Sequence, residues 1–300
     1  MKKFCIALFM FALFIGMINA QILKPYTLGA VSDLSISEAS ELIRKNLDTN
    51  GFKILGEYMP AEDQDRWLIV ISSDELITAT KKIGGLTGFA AALRVGLTLD
   101  SGKVNISYTT PEYWMNAYYR DDYEKVDFLI APVSERLVTV MKASGSYSGT
   151  GFGSEKGLEV NKLRSYKYMV AMQKFHNTAE LGKFSSYQEA IDKVESSIIK
   201  GVPDVQKVYS VEIPGSELKL YGFALGGENG ESHFLPIIDT GDPKHTAFLP
   251  YEFLVMGNEI HMLHGRFRIA LSFPDLKMGT FTKIMSSPGD IKDLLETVVE

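Results

Sequence analysis

One order of events occurs twice along this 300-residue chain, and that repetition constrains its fold more than any single motif. The first copy opens on Tyr26-Thr-Leu-Gly-Ala-Val31. It continues through residues 35–47, where Ala39, Leu42, Ile43 and Leu47 recur at helical spacing and Gly51 stops the helix. The second copy opens on Leu181-Gly-Lys-Phe-Ser-Ser186. Its residues 187–198 place Ala190, Ile191, Val194 and Ile198 on one face, with Gly201 as the stop. Ser35 or Ser37, and Ser185 or Ser186, have the hydroxyl an N-cap requires.

Each helix precedes a strand pair, residues 52–58 with 67–71 in the first copy and 205–211 with 218–225 in the second. A hairpin comes next, residues 92–99 with 104–108 across Asp-Ser-Gly, and residues 253–256 with 260–263 across Gly-Asn. The closing signature aligns residues 106–113 with 269–276, so that Pro111-Glu112 matches Pro274-Asp275, and a C-terminal helix follows each. Both copies read β-α-β-β-β-β-α, with an extra short helix or loop near residues 76–82 in the first. Apolar Leu218, Leu220 and Phe223 alternate with Lys219 and Tyr221, as in a sheet with one face on a core. The expectation is an α+β fold of two repeated β-α-β4-α domains, each an antiparallel sheet covered by helices on one face.

Residues 1–20 stand apart: Lys2 and Lys3, an apolar run over residues 4–17 and a small Ala20 read as a secretory signal peptide. An uncleaved anchor needs about twenty apolar residues, and this run is shorter and ends at Asn19 and Gln21. Cleavage near Ala20 is expected, with the remaining chain periplasmic or secreted. Residues 21–143 then form the first repeat domain, 144–162 a Gly/Ser-rich linker and lead-in, and 163–300 the second repeat domain. The tract over residues 144–157 lacks the spacings of a phosphate-binding glycine loop and reads as a flexible connector. Leu158, Leu163, Tyr166, Met169 and Met172 read as a short helix beyond it.

With the signal removed, 29 basic residues face 37 acidic ones, a net charge near −8. Such a chain gains little from phosphate counterion release, which argues against nucleic acid, and an anionic membrane surface is little better. The one cysteine, Cys5, lies inside the signal, so neither a disulfide nor a lipid-modified N-terminal cysteine is available to the rest. No later apolar run is long enough to span a bilayer.

The run Leu93-Arg-Val-Gly-Leu-Thr-Leu-Asp-Ser-Gly-Lys-Val-Asn-Ile-Ser-Tyr-Thr-Thr-Pro-Glu-Tyr113, preceded by a helix ending in Asn50-Gly51-Phe52, resembles the domain of unknown function 302. The resemblance covers residues 28–140 and extends more loosely over 183–298, making the chain similar to a tandem of two such domains. It implies a TATA-binding-protein-like β-α-β4-α fold. Related folds include pockets for apolar ligands between sheet and helix, a fold-level analogy only. The family carries no catalytic motif to transfer, and this chain departs from its common single-domain, unexported pattern.

The residues themselves nominate three clusters. Tyr108, Tyr113, Trp114, Tyr118, Tyr119 and Tyr123 form an aromatic group that either packs a helix on the sheet or, through Tyr108, Tyr113 and Tyr118, lines a ligand cleft. Arg266 and Arg268 alternate with Phe267 and Ile269 as on a strand, so both arginines would face one way and hold an anion. All five histidines lie in the second copy, and His261, His264 and His245 are the ligands a metal would take, although the His-x-x-His spacing suits a strand poorly. No cofactor motif is present otherwise. The methionine-rich group Phe273, Leu276, Met278, Phe281, Ile284 and Met285 reads as core, interdomain contact or partner groove. The expected function is an exported non-catalytic protein that binds a small apolar or anionic ligand or associates with the envelope. The alternatives are a structural protein-interaction module and a metal-dependent periplasmic enzyme using the second-copy histidines.

Overall fold

A computed structural model describes residues 21–300; the expected signal peptide and Cys5 lie outside the described residues. The first half contains β1 (Ile22–Leu23), β2 (Tyr26–Ser32), α1 (Ile36–Thr49), β3 (Lys53–Tyr58), β4 (Arg66–Ser72), α2 (Asp74–Ile83), β5 (Leu93–Asp100) and β6 (Lys103–Thr109). It continues with α3 (Pro111–Tyr119), α4 (Asp127–Lys142), β7 (Ser146–Phe152), β8 (Leu158–Glu159) and α5 (Val160–Arg164). The second half contains β9 (Ala179–Lys183), α6 (Tyr187–Lys200), β10 (Val205–Glu212), β11 (Leu218–Leu225), α7 (Glu231–Ile238), β12 (Tyr251–Met256) and β13 (Glu259–Met262). It ends with α8 (Gly265–Ser272), α9 (Met278–Phe281) and α10 (Ser287–Glu296).

Two antiparallel sheets carry the fold, in the orders β3-β4-β5-β6-β2-β7 and β10-β11-β12-β13-β9. With β7 set aside, the two orders are the same sequence of strands. Their registers match as well, since Val70 pairs with Arg94 as Gly222 pairs with Glu252, and Val95 with Tyr108 as Phe253 with Met262. The first helix of each half starts alike. The Ser35 side chain accepts from the Glu38 amide while Glu38 accepts from the Ser35 amide, a full capping box, and the Ser186 hydroxyl accepts from the Glu189 amide. Ala39, Ile43 and Leu47 of α1 are wholly buried, and full burial of an Ile or Leu side chain contributes about 1.5–3 kcal/mol.

Helices α1 and α4 lie on the outer face of the first sheet, and α6 and α10 lie on that of the second. The inner faces pack on each other. A short turn at Thr246–Phe248 from the second half lies on β4, β5 and β6, while a turn at Gly85–Ala90 from the first lies on β11 and β12. Glycines allow this approach: a Cβ on Gly96 would come within 2.9 Å of the Ala247 amide, and one on Gly88 within 2.5 Å of Leu254. The edge strands β3 and β10 also meet, each at its own β-bulge, where a Cβ on Gly56 would sit 2.1 Å from the Val208 carbonyl oxygen and 3.1 Å from the Tyr209 Cβ. Each sheet therefore has helices on one face and the other half on the opposite one.

Several expectations are corrected. The tract read as a flexible connector contains β7, an edge strand whose Tyr147–Phe152 backbone pairs with β2; backbone hydrogen bonds, which need no side chain, hold it there. Residues 265–272, read as the end of a strand entering the Pro274-Asp275 signature, form helix α8, so that signature does not correspond to the β6–α3 junction. Helix α7, with Pro236 inside it, was not expected. No helix among the described residues is long and apolar enough to cross a membrane.

Candidate functional site

The three tyrosines nominated as cleft residues are core residues. Tyr113 is wholly buried and donates from its hydroxyl to the Leu271 carbonyl at 2.8 Å, tying α3 to α8. Tyr118 is stacked on Phe175 and receives a 3.1 Å hydrogen bond from Arg268, and burial raises its hydroxyl pKa. Tyr108 lies on β6, where burial pushes its hydroxyl up to about 12. Trp114 joins them by donating to the Pro25 carbonyl at 2.8 Å.

Arg266 and Arg268 do not share a strand face, because both lie on α8, where residues two apart point in different directions. Arg268 turns inward to a charged group buried between the halves. Its guanidinium donates to Tyr118 and to the Phe248 carbonyl at 2.8 Å, lies over the Trp114 ring at 4.9 Å, and stands 3.8 Å from Glu252. The same Glu252 carboxylate accepts from Arg94 of β5 and from the Tyr209 hydroxyl of β10. Arg94, Glu252 and Arg268 are each at most 4% exposed. A parallel group surrounds Arg66, which pairs with Asp63 at 3.0 Å and with buried Asp239, while Thr98 and Thr246 bond each other at 2.6 Å. These groups bond across the inner faces and fasten the halves together, although Arg94 Nε and one Glu252 carboxylate oxygen are buried without a hydrogen-bond partner.

The histidines have separate surroundings. His261 bonds the Thr178 hydroxyl at 3.2 Å through Nδ1 and Glu259 at 3.1 Å through Nε2, and a bulge between β13 and β9 at Ile260/His261 sets that direction. His264 caps α8, its Nδ1 accepting from the Arg266 amide at 3.2 Å, and burial together with the Arg266 charge lowers its pKa. His245 stacks on Phe273 at 4.5 Å, and burial lowers its pKa too. Among the described residues no group of three or more His, Cys, Asp or Glu side chains is placed to hold a metal ion.

Of five cavities among the described residues, two bear on function. The first is apolar, about 300 Å³, and lies over α8. Arg266, Ile269 and Ala270 supply one wall, the i, i+3, i+4 face opposite the buried Phe267, Leu271 and Ser272. Tyr168, Met169 and Met172 close it from the segment after α5, and Leu276, Met278, Phe281, Thr282 and Met285 close it from around α9. Arg266 is its only charged lining residue. The methionine-rich group at 276–285 was noted from sequence, but its pairing with residues 168–172, a hundred positions earlier, carries no local signal.

The second cavity is polar, about 650 Å³, at the junction of the halves, and includes Tyr58, Asp204 and Glu231. Glu231 begins α7 and accepts from the Tyr58 hydroxyl and the Ala61 amide at 2.9 Å each, and from the Leu225 amide at 3.3 Å. Burial pushes its carboxyl up to about 7. Two of those donors belong to the first half, so Glu231 acts as a latch between halves.

No protein-family model and no curated protein matches this chain. Among solved structures, it is similar to an uncharacterized conserved protein DUF302 from Bacillus stearothermophilus, at 13% sequence identity over 39% of this chain and 97% of that one, with a TM-score of 0.35.

Proposed function

We propose that this chain is an exported, non-catalytic protein that binds a small apolar ligand in the cavity over α8. The observation that carries the reading is the cavity's wall, mostly methionine, leucine, isoleucine, alanine and phenylalanine side chains with Tyr168, Thr282 and one charged residue, Arg266. Its volume is at the lower end of ordinary ligand pockets, about 300–1,000 Å³. Methionine side chains adapt to irregular apolar partners, which suits a pocket of this composition. The buried charged and tyrosine clusters elsewhere join the halves.

The halves are read as two copies of one β-α-β4-α domain resembling the domain of unknown function 302, a reading supported by their shared strand order and register. Export rests on Lys2, Lys3, the apolar run after them and Ala20. Intact mass of the chain recovered from the producing cell tests it, with a start near Gln21 expected and a retained Met1 refuting it. Binding is tested with an uncharged hydrophobic fluorophore, N-phenyl-1-naphthylamine, titrated into the chain from Gln21. Saturable binding of one equivalent, abolished in Met172→Trp at unchanged Tm, is expected; absence of saturable binding, or binding indifferent to that substitution, refutes the reading.

A protein-interaction module is the second reading. It is favoured by the exposed apolar side chains among the cavity's lining, Met285 at 55%, Met278 at 51% and Met169 at 45% exposure, with exposed Val170 next to Met169 in the chain.

A further inference from the structure

We infer that the ligand of this cavity is a single-chain anionic amphiphile, an apolar chain ending in a carboxylate that Arg266 receives. The inference rests on the apolar-pocket reading and adds the class of ligand. Three observations lead to it.

The first is which polar groups of the lining are free. The Tyr168 hydroxyl already donates to the Leu276 carbonyl at 2.9 Å, and the Thr282 hydroxyl donates to the Met278 carbonyl at 2.8 Å. The Arg266 guanidinium, by contrast, makes no hydrogen bond or ion pair among the described residues, while Arg268, two positions on, donates to Tyr118 and to the Phe248 carbonyl. The lining of an apolar cavity thus includes a set of unused charged donors whose planar geometry matches a carboxylate.

The second is the charge carried by the segments that form the cavity. The three segments that build the cavity, residues 166–174, 264–272 and 275–286, contain Lys167, Lys174, Arg266, Lys277 and Lys283 besides the inward-turned Arg268, against one acidic residue, Asp275, in a chain where acidic residues outnumber basic ones 37 to 31. Lys167, Lys174, Lys277 and Lys283 are exposed and form no ion pair among the described residues. A local positive field on an acidic protein draws anions to this mouth and turns cations away. The third is size: about 300 Å³ suits one chain rather than the two of a phospholipid.

The test uses the chain from Gln21 and isothermal titration calorimetry with decanoate, decanol and decyltrimethylammonium, each below its micellar concentration. Decanoate is expected to bind about tenfold or more tightly than decanol, with the ammonium weakest. Arg266→Gln is expected to remove the decanoate advantage while leaving decanol affinity within about twofold, and raised salt to weaken decanoate alone. Equal affinity for decanoate and decanol in the unsubstituted chain, or a decanoate advantage that survives Arg266→Gln, overturns the anion assignment and leaves the pocket reading standing. Absence of binding by all three ligands, together with no effect of Met172→Trp on the neutral fluorophore, overturns both. Binding to phosphatidylglycerol vesicles without binding to monomeric decanoate overturns the assignment in favour of a membrane surface.

Discussion

Glu252 holds two guanidiniums between the sheets, so the three charges should respond to substitution as one unit. In Arg94→Met the carboxylate keeps the Tyr209 hydroxyl and Arg268 at 3.8 Å, and the loss is expected near the lower end of the range for breaking a buried pair, about 3 kcal/mol. In Glu252→Gln both Arg94 and Arg268 remain buried without an anion, and the loss is expected near the upper end, about 5 kcal/mol. At about 2–4 °C per kcal/mol for a chain approaching this size, Tm falls by about 6–12 °C and about 10–20 °C respectively. The double variant removes one of the two stranded cations, and Arg268 retains Phe248, Tyr118 and the Trp114 face. It is therefore expected to be more stable than Glu252→Gln alone. Thermal unfolding of all four proteins, followed by circular dichroism at pH 7, measures the cycle. Because the pair is almost dry, 0.5 M salt should leave the differences in place. A double variant whose loss equals the sum of the two single losses would refute the coupling.

Two further outcomes are expected. Burial raises the Glu231 carboxyl from about 4.5 to about 7, so folding favours its neutral form; the stability it contributes is full below about pH 4.5 and is lost as pH rises through about 7. Glu231→Gln should gain on the unsubstituted chain by up to about 3 kcal/mol between pH 5 and pH 8, and parallel Tm curves for the two proteins would contradict this. Gly56→Ala should destabilise by about 1–3 kcal/mol or more in urea unfolding, because its Cβ meets backbone of the other half, whereas Gly279→Ala on α9, with nothing within 4 Å, should be neutral or slightly stabilising. Equal midpoints for the two alanine variants would show that the β3–β10 contact is loose.

Elements whose apolar spacing is set by one buried face were legible. Helices α1 and α6 announce themselves through Ile43, Leu47, Ala190 and Val194 and their serine caps, and the hairpins through their glycine turns. Helix α8 was not, because nearly all of it is buried. With Phe267, Ile269, Ala270 and Leu271 covering several faces, polar periodicity disappears, and the short Arg-Phe-Arg-Ile alternation imitates a strand. Strand β7 was missed for the opposite reason: Ser, Gly and Thr have few side-chain atoms to pack, and its order comes from main-chain pairing that sequence patterns do not record. The tyrosine cluster left packing and a cleft both open, because nothing local reveals that Leu271, Phe175 and Arg268 cover it. Arg266 and Arg268, expected to face one way on a strand, are separated by the turn of α8.

Arg94 and Glu252 occupy corresponding register positions, as do Gly56 and Tyr209, and in each case one faces the other across the molecule. In a symmetric pair of identical subunits a residue at such a place meets its own copy. Two first halves would set arginine against arginine and leave a gap between glycines; two second halves would set glutamate against glutamate and force two tyrosines into the space of one. Split at the connection between them, the halves should recombine as a mixed pair and reject self-pairing. Covalent linkage in one chain removes the requirement for symmetry and lets the two sides of the joint differ.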